Sequence, residues 1–255
     1  MPGARAGAAL VTGAGKRIGR ALALTLAEAG YDIAVHYNSS KDAAEDVAAL
    51  VEKIGRRADV VKADLSKESE TEKLVENATG AVGPLSLLIN SASAFEHDDI
   101  ETMTRASWDR HMEANLRAPV KLAQEFAAQV NQDANNLIVN LIDQRVLKLT
   151  PQFLSYTASK AALFSITKTM AQALGPKGIR VNAIGPGPTL KNPRQSDEDW
   201  RRQNEATVLG HGAAPEDISA ALIYLTTARA VTGQMIAVDG GQHLTWQTPD
   251  VLVRE

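Results

Sequence analysis

The sequence contains no cysteine. Disulfide bonds, thiolate catalysis and cysteine-based zinc sites are therefore excluded. The five histidines do not occur at metal-ligand spacings such as HxxxH, so no metal site is predicted.

Long apolar runs and a strong net charge are also missing. No apolar stretch approaches the roughly 20 residues that span a bilayer, and the opening residues MPGARAGAALVTG lack the apolar core of a signal peptide. The net charge of −3 gives no reason to expect binding to nucleic acid. We therefore expect a cytoplasmic protein without membrane or nucleic-acid partners.

Short apolar runs alternate along the chain with longer segments of helical periodicity, from AALVTG and RIGRALALTLAEAG onwards. Such βαβ units place parallel strands between two layers of helices. The sequence predicts one α/β domain over residues 1–255, a doubly wound (Rossmann) parallel sheet of about seven strands with helices on both faces. One long helix is expected over 105–130, and the polar stretch at about 188–214 is predicted to be an irregular substrate lid.

The segment TGAGKRIG between the first strand and the first helix is typical of a phosphate-binding turn. Gly13 permits a tight turn, and Gly19 permits close packing of the backbone. The free N–H groups at the start of the helix, including that of Ile18, then face a pyrophosphate. Arg17 departs from the usual glycine-rich pattern and adds a positive charge.

The second strand ends in HYNSS and carries no acid for the ribose hydroxyl of NAD. Polar donors replace it, which favours the 2′-phosphate of NADP(H), together with Arg17. The residues concerned are His36, Asn38, Ser39 and Ser40. The same NSS segment is also suited to capping the next helix.

Tyr156 and Lys160 lie four residues apart and so share one face of a predicted helix. A neighbouring ammonium favours the phenolate and lowers the pKa of a tyrosine, which makes this pair a candidate proton-transfer group. A YxxxK match alone is weak evidence for a proton-transfer role, since a surface lysine beside a half-buried tyrosine gives the same pattern.

These features together resemble the short-chain dehydrogenase/reductase family, over nearly all of the chain. The resemblance implies a nicotinamide-dependent reductase or dehydrogenase, usually a homotetramer. It rests on TGxxxRxG at 12–19, ADL at 63–65, INSAS at 89–93, Asn115, YxxxK at 156–160, IRVNAIGPGPT at 179–189 and VTGQMIAVDGG at 231–241.

The resemblance also implies roles for single residues. Tyr156 gives or takes the proton, Lys160 lowers its pKa and binds the nicotinamide ribose, and Asn115 supports a water in a proton relay. The expected cofactor contacts are Asp64 and Leu65 at the adenine, Asn90, Ser91 and Ala92 along the ribose, and Pro186 and Gly187 at the nicotinamide. Asn115 has an alternative as an ordinary polar helix residue, and Asp64 has one as a helix cap.

Asp143 stands thirteen residues before Tyr156, where most of the family has serine. In this, in Arg17 and in the segment NSASAF, the chain resembles the pteridine reductases, including dihydromonapterin-type enzymes. That subgroup implies that Phe95 stacks on a pterin ring and that Ser93 bonds the pterin or the cofactor. A carboxyl group can accept a bond from a ring N–H or shuttle a proton with Tyr156. Burial beside Tyr156 is expected to raise the pKa of Asp143.

Several alternatives remain at this stage. Asp143 could instead pair with Arg145 or Lys148, and Phe95 could be a core-edge aromatic. The function could be reduction of a pterin-like substrate, reduction of a 3-oxoacyl thioester, sugar or other ketone, or non-catalytic sensing of NADP. The segment QRVLKLT after Asp143 is not assigned to any substrate.

Overall fold

A seven-stranded sheet forms the centre of the molecule, and every neighbouring pair of strands is parallel. The computed structural model describes residues 6–131 and 134–246. The spatial order is β3-β2-β1-β4-β5-β6-β7. The strands are β1 (Gly7–Val11), β2 (Tyr31–Tyr37), β3 (Ala58–Lys62), β4 (Leu87–Asn90), β5 (Asn136–Leu141), β6 (Ile179–Pro186) and β7 (Met235–Val238). The predicted doubly wound sheet is confirmed.

Helices cover both faces of this sheet. Along β1, Ala9 and Val11 belong to one buried apolar cluster, whereas Ala8 and Leu10 belong to the other. This alternation follows from the period of two in a strand, and it explains why the central strands are apolar throughout. The helices are α1 (Arg17–Glu28), α2 (Lys41–Lys53), α3 (Glu68–Val82), α4 (Arg105–Met112), α5 (Ala118–Gln129), α6 (Leu154–Leu174), α7 (Asp197–Glu205) and α8 (Pro215–Thr227).

The strand order reverses at β1, which lies between β2 and β4. The chain therefore leaves β1 and β4 on opposite sides, and a crevice opens beyond their carboxyl ends. Within the described ranges, no helix combines the length and apolar character needed to cross a bilayer.

The prediction of a single long helix over 105–130 is wrong in one respect. The structure interrupts it with a wider π-helical turn at Glu113–Arg117, between α4 and α5. Such turns are found mostly within α-helices and often at functional sites. Here the turn contains Asn115, whose side chain is buried.

The segment 188–214 is not wholly irregular, because it contains α7. Ser196 caps this helix, its hydroxyl accepting a bond from the Asp199 N–H at 3.0 Å. Three acidic residues in the first turn also favour a helix start. The SDED pattern was the signal for this helix, whereas the role of the segment as a lid stays a prediction.

Candidate active site

A cleft of about 1330 Å³ lies at the carboxyl ends of the central strands. In the described part of the chain, no cluster of three or more acidic, histidine or cysteine side chains is placed to hold a metal ion. Most of the predicted site residues line the cleft. They are Gly13, Arg17, Ile18, Gly19, His36, Asn38, Asp64, Leu65, Ser91, Ala92, Ser93, Phe95, Asp143, Tyr156, Lys160, Pro186 and Gly187.

The turn after β1 is built as predicted. Gly13 has a positive φ of 65°, a conformation that favours glycine. A Cβ added at Gly19 would lie 2.3 Å from the Gly13 carbonyl oxygen, so only glycine fits there. The turn and the first helix therefore approach each other closely enough to cradle a phosphate.

His36 holds this turn in place through a hydrogen bond with Gly13, and its ring nitrogens do not face a phosphate. Its Nδ1 accepts a bond from the Gly13 N–H at 3.0 Å, so Nε2 carries the proton and donates to the Ala63 carbonyl at 3.0 Å. Burial lowers the pKa of His36 to about 4, which keeps the ring neutral. Both ring nitrogens of His36 thus have protein partners, so the structure does not support a hydrogen bond from His36 to the cofactor.

The polar residues after β2 and β4 divide into two groups. Asn38 lines the cleft, whereas Ser39, Ser40 and Asn90 do not. Ser40 precedes α2, but its side chain makes no capping bond. Asn90 is buried and donates to the Asn140 side chain at 2.8 Å, because it points beneath the strand ends. The structure therefore does not support cofactor contacts from the side chains of Ser39 and Ser40, and the place of Asn90 along the ribose stays a prediction.

Asp64 lines the cleft beside Leu65, but it does not cap α3. Its carboxylate accepts bonds from the Ser66 hydroxyl at 2.7 Å and from the Ser66 N–H at 3.0 Å. Lys67 directly precedes α3 at the N-cap position, and its side chain makes no capping bond. Asp64 therefore closes the turn before the helix, and its alternative role as a helix cap is wrong.

Arg17 connects the phosphate turn to the segment 188–214. Its guanidinium donates to the carbonyl oxygens of Leu190 at 2.8 Å and Lys191 at 3.0 Å. Its backbone is left-handed, with a φ of 53°. The sequence predicted only that this charge would lie near the cofactor, and the structure adds this link across the cleft.

Asp143 and Tyr156 form the central contact of the site. The Tyr156 hydroxyl donates to Asp143 Oδ2 at 2.9 Å, and the Arg145 N–H donates to Oδ1 at 2.8 Å. Burial raises the pKa of Asp143, as expected. The Lys148 ammonium instead bonds the segment near Thr245, so it is not the partner of Asp143.

The pKa of Tyr156 departs from the expected direction. Burial and the neighbouring charge of Asp143 raise it well above its ordinary value, so the tyrosine keeps its proton. Lys160 lies 5.9 Å from the ring centroid of Tyr156 and donates to the Leu141 carbonyl at 2.7 Å. Burial lowers the pKa of Lys160 to about 8. The pKa of Tyr156 is therefore raised and not lowered, because burial and the Asp143 charge have the largest effects on it, and a role for Lys160 in lowering it stays a prediction.

Asn115 connects the loop after β4 with α6 through hydrogen bonds of its side chain. Its amide oxygen accepts from the Ala94 N–H at 2.8 Å and the Ser93 hydroxyl at 3.1 Å. Its amide nitrogen donates to the Ala94 carbonyl at 2.9 Å and to Ser159 at 3.1 Å. The side chain thus joins the strand-end loop to α6, and a role for Asn115 in a proton relay stays a prediction.

Phe95 belongs to an aromatic cluster. Its ring stacks on Phe153 with centroids 4.6 Å apart and planes 6° apart, and it meets Tyr156 edge-to-face at 4.7 Å. Phe153 is left-handed, with a φ of 59°. A flat substrate ring that stacks on Phe95 must therefore either extend this stack or displace Phe153.

Asp98, Ser155 and His111 form a buried network that the sequence did not reveal. The Ser155 hydroxyl and N–H and the Ser107 hydroxyl donate to the Asp98 carboxylate. His111 Nδ1 lies 2.7 Å from the Ser155 oxygen, and its Nε2 accepts from the Glu96 N–H at 3.1 Å. Ser155 lies 57 positions from Asp98 and 44 positions from His111, so no local pattern marks these contacts.

This network fixes the loop carrying Phe95 to the start of the helix carrying Tyr156. The Asp98 carbonyl also accepts the Phe153 N–H at 2.7 Å. Burial opposes ionisation of Asp98, but the bonds from Ser155 and Ser107 outweigh it and hold the pKa of that carboxyl below its ordinary value.

Comparison with known proteins assigns the family. Residues 13–243 match the family model described as enoyl-(acyl carrier protein) reductase. The chain belongs to the short-chain dehydrogenase/reductase family. A 3-oxoacyl-[acyl-carrier-protein] reductase FabG of Staphylococcus epidermidis is 31% identical over 92% of this chain and 98% of its own length.

Solved structures of the same family resemble the chain over nearly its whole length. FolM alternative dihydrofolate reductase 1 from Brucella suis, in complex with NADP, is 46% identical with a TM-score of 0.91, covering 95% of this chain and 97% of that one. The protein of the same name from Brucella canis is 44% identical with a TM-score of 0.89, covering 96% and 97%. The chain is thus a short-chain reductase.

The first prediction concerns the phosphate turn. Gly19→Ala forces Gly19 and Gly13 apart, because the new Cβ would lie 2.3 Å from the Gly13 oxygen. We expect NADPH affinity, measured by fluorescence titration, to fall by about tenfold or more, which is about 1.4 kcal/mol. Gly80→Ala is the matched control, since nothing lies within 4 Å of a Cβ there. Equal affinities in the two variants would contradict this account of the turn.

The second prediction concerns the Asp98 network. Asp98→Asn exchanges a carboxylate that accepts from three donor groups for an amide, and we expect the free energy of unfolding to fall by about 2 kcal/mol at neutral pH. Because folding lowers the Asp98 pKa, its contribution is present above about pH 4 and is lost as the pH falls further. Denaturant unfolding at several pH values measures both effects.

Asp46→Asn is the control for this experiment, because Asp46 is exposed on α2. We expect its unfolding free energy to stay within about 0.5 kcal/mol of the original protein. A loss in Asp98→Asn that persisted unchanged at pH 3 would contradict the role of its ionised carboxylate.

Proposed function

We propose that this chain is an NADPH-dependent reductase that transfers hydride to a C=N bond of a pterin-like substrate, such as a dihydropterin or dihydrofolate. The observation that carries this proposal is the Asp143 carboxylate, which accepts the Tyr156 hydroxyl at 2.9 Å. A carboxylate at this place suits proton delivery to a ring nitrogen. The similarity to two FolM dihydrofolate reductases supports the same substrate class.

The cleft fits the cofactor NADP(H). The tight contact between Gly13 and Gly19 leaves room for a pyrophosphate at the start of α1. No acid follows β2, where an NAD-binding chain would place one, and Asn38 stands at that end of the cleft. The exposed cations Lys16 and Arg17 also line the cleft and favour the additional phosphate.

The nicotinamide, when bound, supplies the hydride. Tyr156 and Asp143 hold the proton that the substrate nitrogen needs, because the raised pKa of Tyr156 keeps its hydroxyl protonated and directed at the carboxylate. Addition of hydride to carbon and of this proton to nitrogen converts the C=N bond into an amine. Lys160 keeps a positive charge beside the pair below about pH 8 and so offsets the negative charge left after proton transfer.

Reduction of a ketone is the second candidate. The similarity to FabG and to the angucycline C-6 ketoreductase LanV, 33% identical with a TM-score of 0.87, favours it. A ketone oxygen, however, is suited to a serine hydroxyl that donates to it, and this chain carries Asp143 at that position instead. A non-catalytic NADP sensor is less favoured, because Tyr156 and Lys160 both line the cleft.

We also propose a cytoplasmic homotetramer, as the family resemblance implies. Apolar side chains on one part of the surface support an association between copies. Trp246 is 70% exposed, Leu209 and Leu244 are each 64% exposed, and Val208 is 58% exposed. Three of these, Val208, Leu244 and Trp246, line one shallow depression.

The third prediction tests the substrate class. NADPH oxidation is followed with dihydrobiopterin, dihydrofolate and an acetoacetyl thioester as separate substrates. We expect turnover of at least one dihydropterin or dihydrofolate, at a kcat/KM well above that of the thioester. Turnover of the thioester alone would refute the proposed function, and NADPH binding without any turnover would favour the sensor.

The fourth prediction concerns Asp143→Ser. We expect kcat for pterin reduction to fall on the order of 100-fold, because the proton donor pair is broken, while NADPH affinity stays near its original value. Asp143 raises the pKa of Lys160, so its removal should also move the alkaline limb of the kcat–pH profile to lower pH. Unchanged pterin turnover, or an alkaline limb that does not move, would remove Asp143 from the mechanism.

A further inference from the structure

Two adjacent side chains place unpaired polar atoms in the wall of the cleft. Gln144 Oε1 and Arg145 Nε are both buried, and neither has a hydrogen-bond partner among the described residues. Gln144 is only 6% exposed, and both residues line the cleft beside Asp143. Buried polar atoms are rarely left without partners, because the lost hydration is then not replaced. A bound molecule would supply the missing partners.

The other contacts of Arg145 hold its guanidinium in one position. Its Nη1 donates to the Thr150 hydroxyl, and the guanidinium lies 4.9 Å from the ring centroid of Phe153. Its backbone N–H is bonded to Asp143 at 2.8 Å. None of these contacts uses Nε, so this N–H is the donor left over for a ligand.

Gln144 begins a short helical turn, Gln144–Val146, immediately after Asp143. The Val146 N–H donates to the Asp143 carbonyl at 3.3 Å, which joins this turn to the residue that carries the acid. Two consecutive residues that line the cleft thus each carry a buried polar atom without a partner among the described residues, the acceptor Gln144 Oε1 and the donor Arg145 Nε.

We propose that Gln144 and Arg145 form a ring-edge site that recognises a flat heterocycle with a carbonyl oxygen beside an N–H or amino group. The Arg145 Nε–H donates to the carbonyl oxygen, and Gln144 Oε1 accepts from the neighbouring N–H or amino group. The 2-amino-4-oxo edge of a pterin has this arrangement. This inference rests on the proposed function and deepens it, because it names what distinguishes the substrate from a simple ketone.

The nicotinamide carboxamide of the cofactor also carries a carbonyl oxygen beside an amino group. The two sources of this chemistry are separated by measuring NADPH affinity and pterin kinetics in the same variants. A contact with the substrate changes only the pterin parameters, whereas a contact with the carboxamide weakens NADPH binding.

The test compares Gln144→Met and Arg145→Lys with the original protein. Methionine keeps the length of glutamine without its acceptor, and lysine keeps the charge of arginine without Nε. We expect kcat/KM for dihydrobiopterin to fall by about tenfold or more in each variant, mainly through KM, since a ground-state contact is lost. The NADPH dissociation constant should stay within about twofold of the original value.

A second measurement separates recognition from a general loss of structure. A dihydropterin without the 2-amino group lacks one donor for Gln144. We expect the original protein to prefer the complete dihydropterin, and Gln144→Met to lose most of that preference. Gln129→Met, exposed on α5 and outside the cleft, is the control and should keep it.

The outcomes are distinct. If the original protein reduces no dihydropterin, the proposed function is wrong and the ring-edge site falls with it. If it does reduce dihydropterin but Gln144→Met keeps both KM and the preference for the 2-amino group, only the ring-edge site is refuted. A rise in the NADPH dissociation constant with unchanged pterin KM would assign the two side chains to the cofactor and overturn the inference.

Discussion

The hydrogen bond between Tyr156 and Asp143 is the contact on which the proposed chemistry of this site depends. It joins the helix α6 to the end of β5, two elements that the sheet brings together. Because both groups are shielded from water, each has a raised pKa, and the tyrosine hydroxyl keeps its proton. In the proposed mechanism, Tyr156 and Asp143 therefore act as one hydrogen-bonded pair that holds the proton.

The rest of the substrate side keeps this contact in place. Asp98 binds the start of α6, and Asn115 binds the loop that carries Ser93 and Phe95. The aromatic cluster and the proton-holding pair are consequently fixed by the same buried polar contacts. A shift of this loop would move the stacking surface and the proton donor together, which links the orientation of a substrate ring to the position of its proton.

Local patterns predicted the parts of the molecule that depend on periodicity. The helix PEDISAALIYLTT is found at Pro215–Thr227, and the glycines of the phosphate turn have the roles assigned to them. The failures arise from tertiary contacts. The inward position of His36 depends on the turn that packs above it, and the raised pKa of Tyr156 depends on burial. Ser155, which donates twice to Asp98, lies 57 positions away, and this contact leaves no local signal.

The segment QRVLKLT had no function in the sequence, and the structure explains why it follows the acid so closely. Asp143, Gln144 and Arg145 are consecutive, and the Arg145 N–H binds the Asp143 carboxylate. A ring held by the two later side chains would thus be held at a fixed position relative to the first. Proton transfer needs the donor and the nitrogen within about 3 Å, so recognition of the ring edge and delivery of the proton can both be set by one short turn.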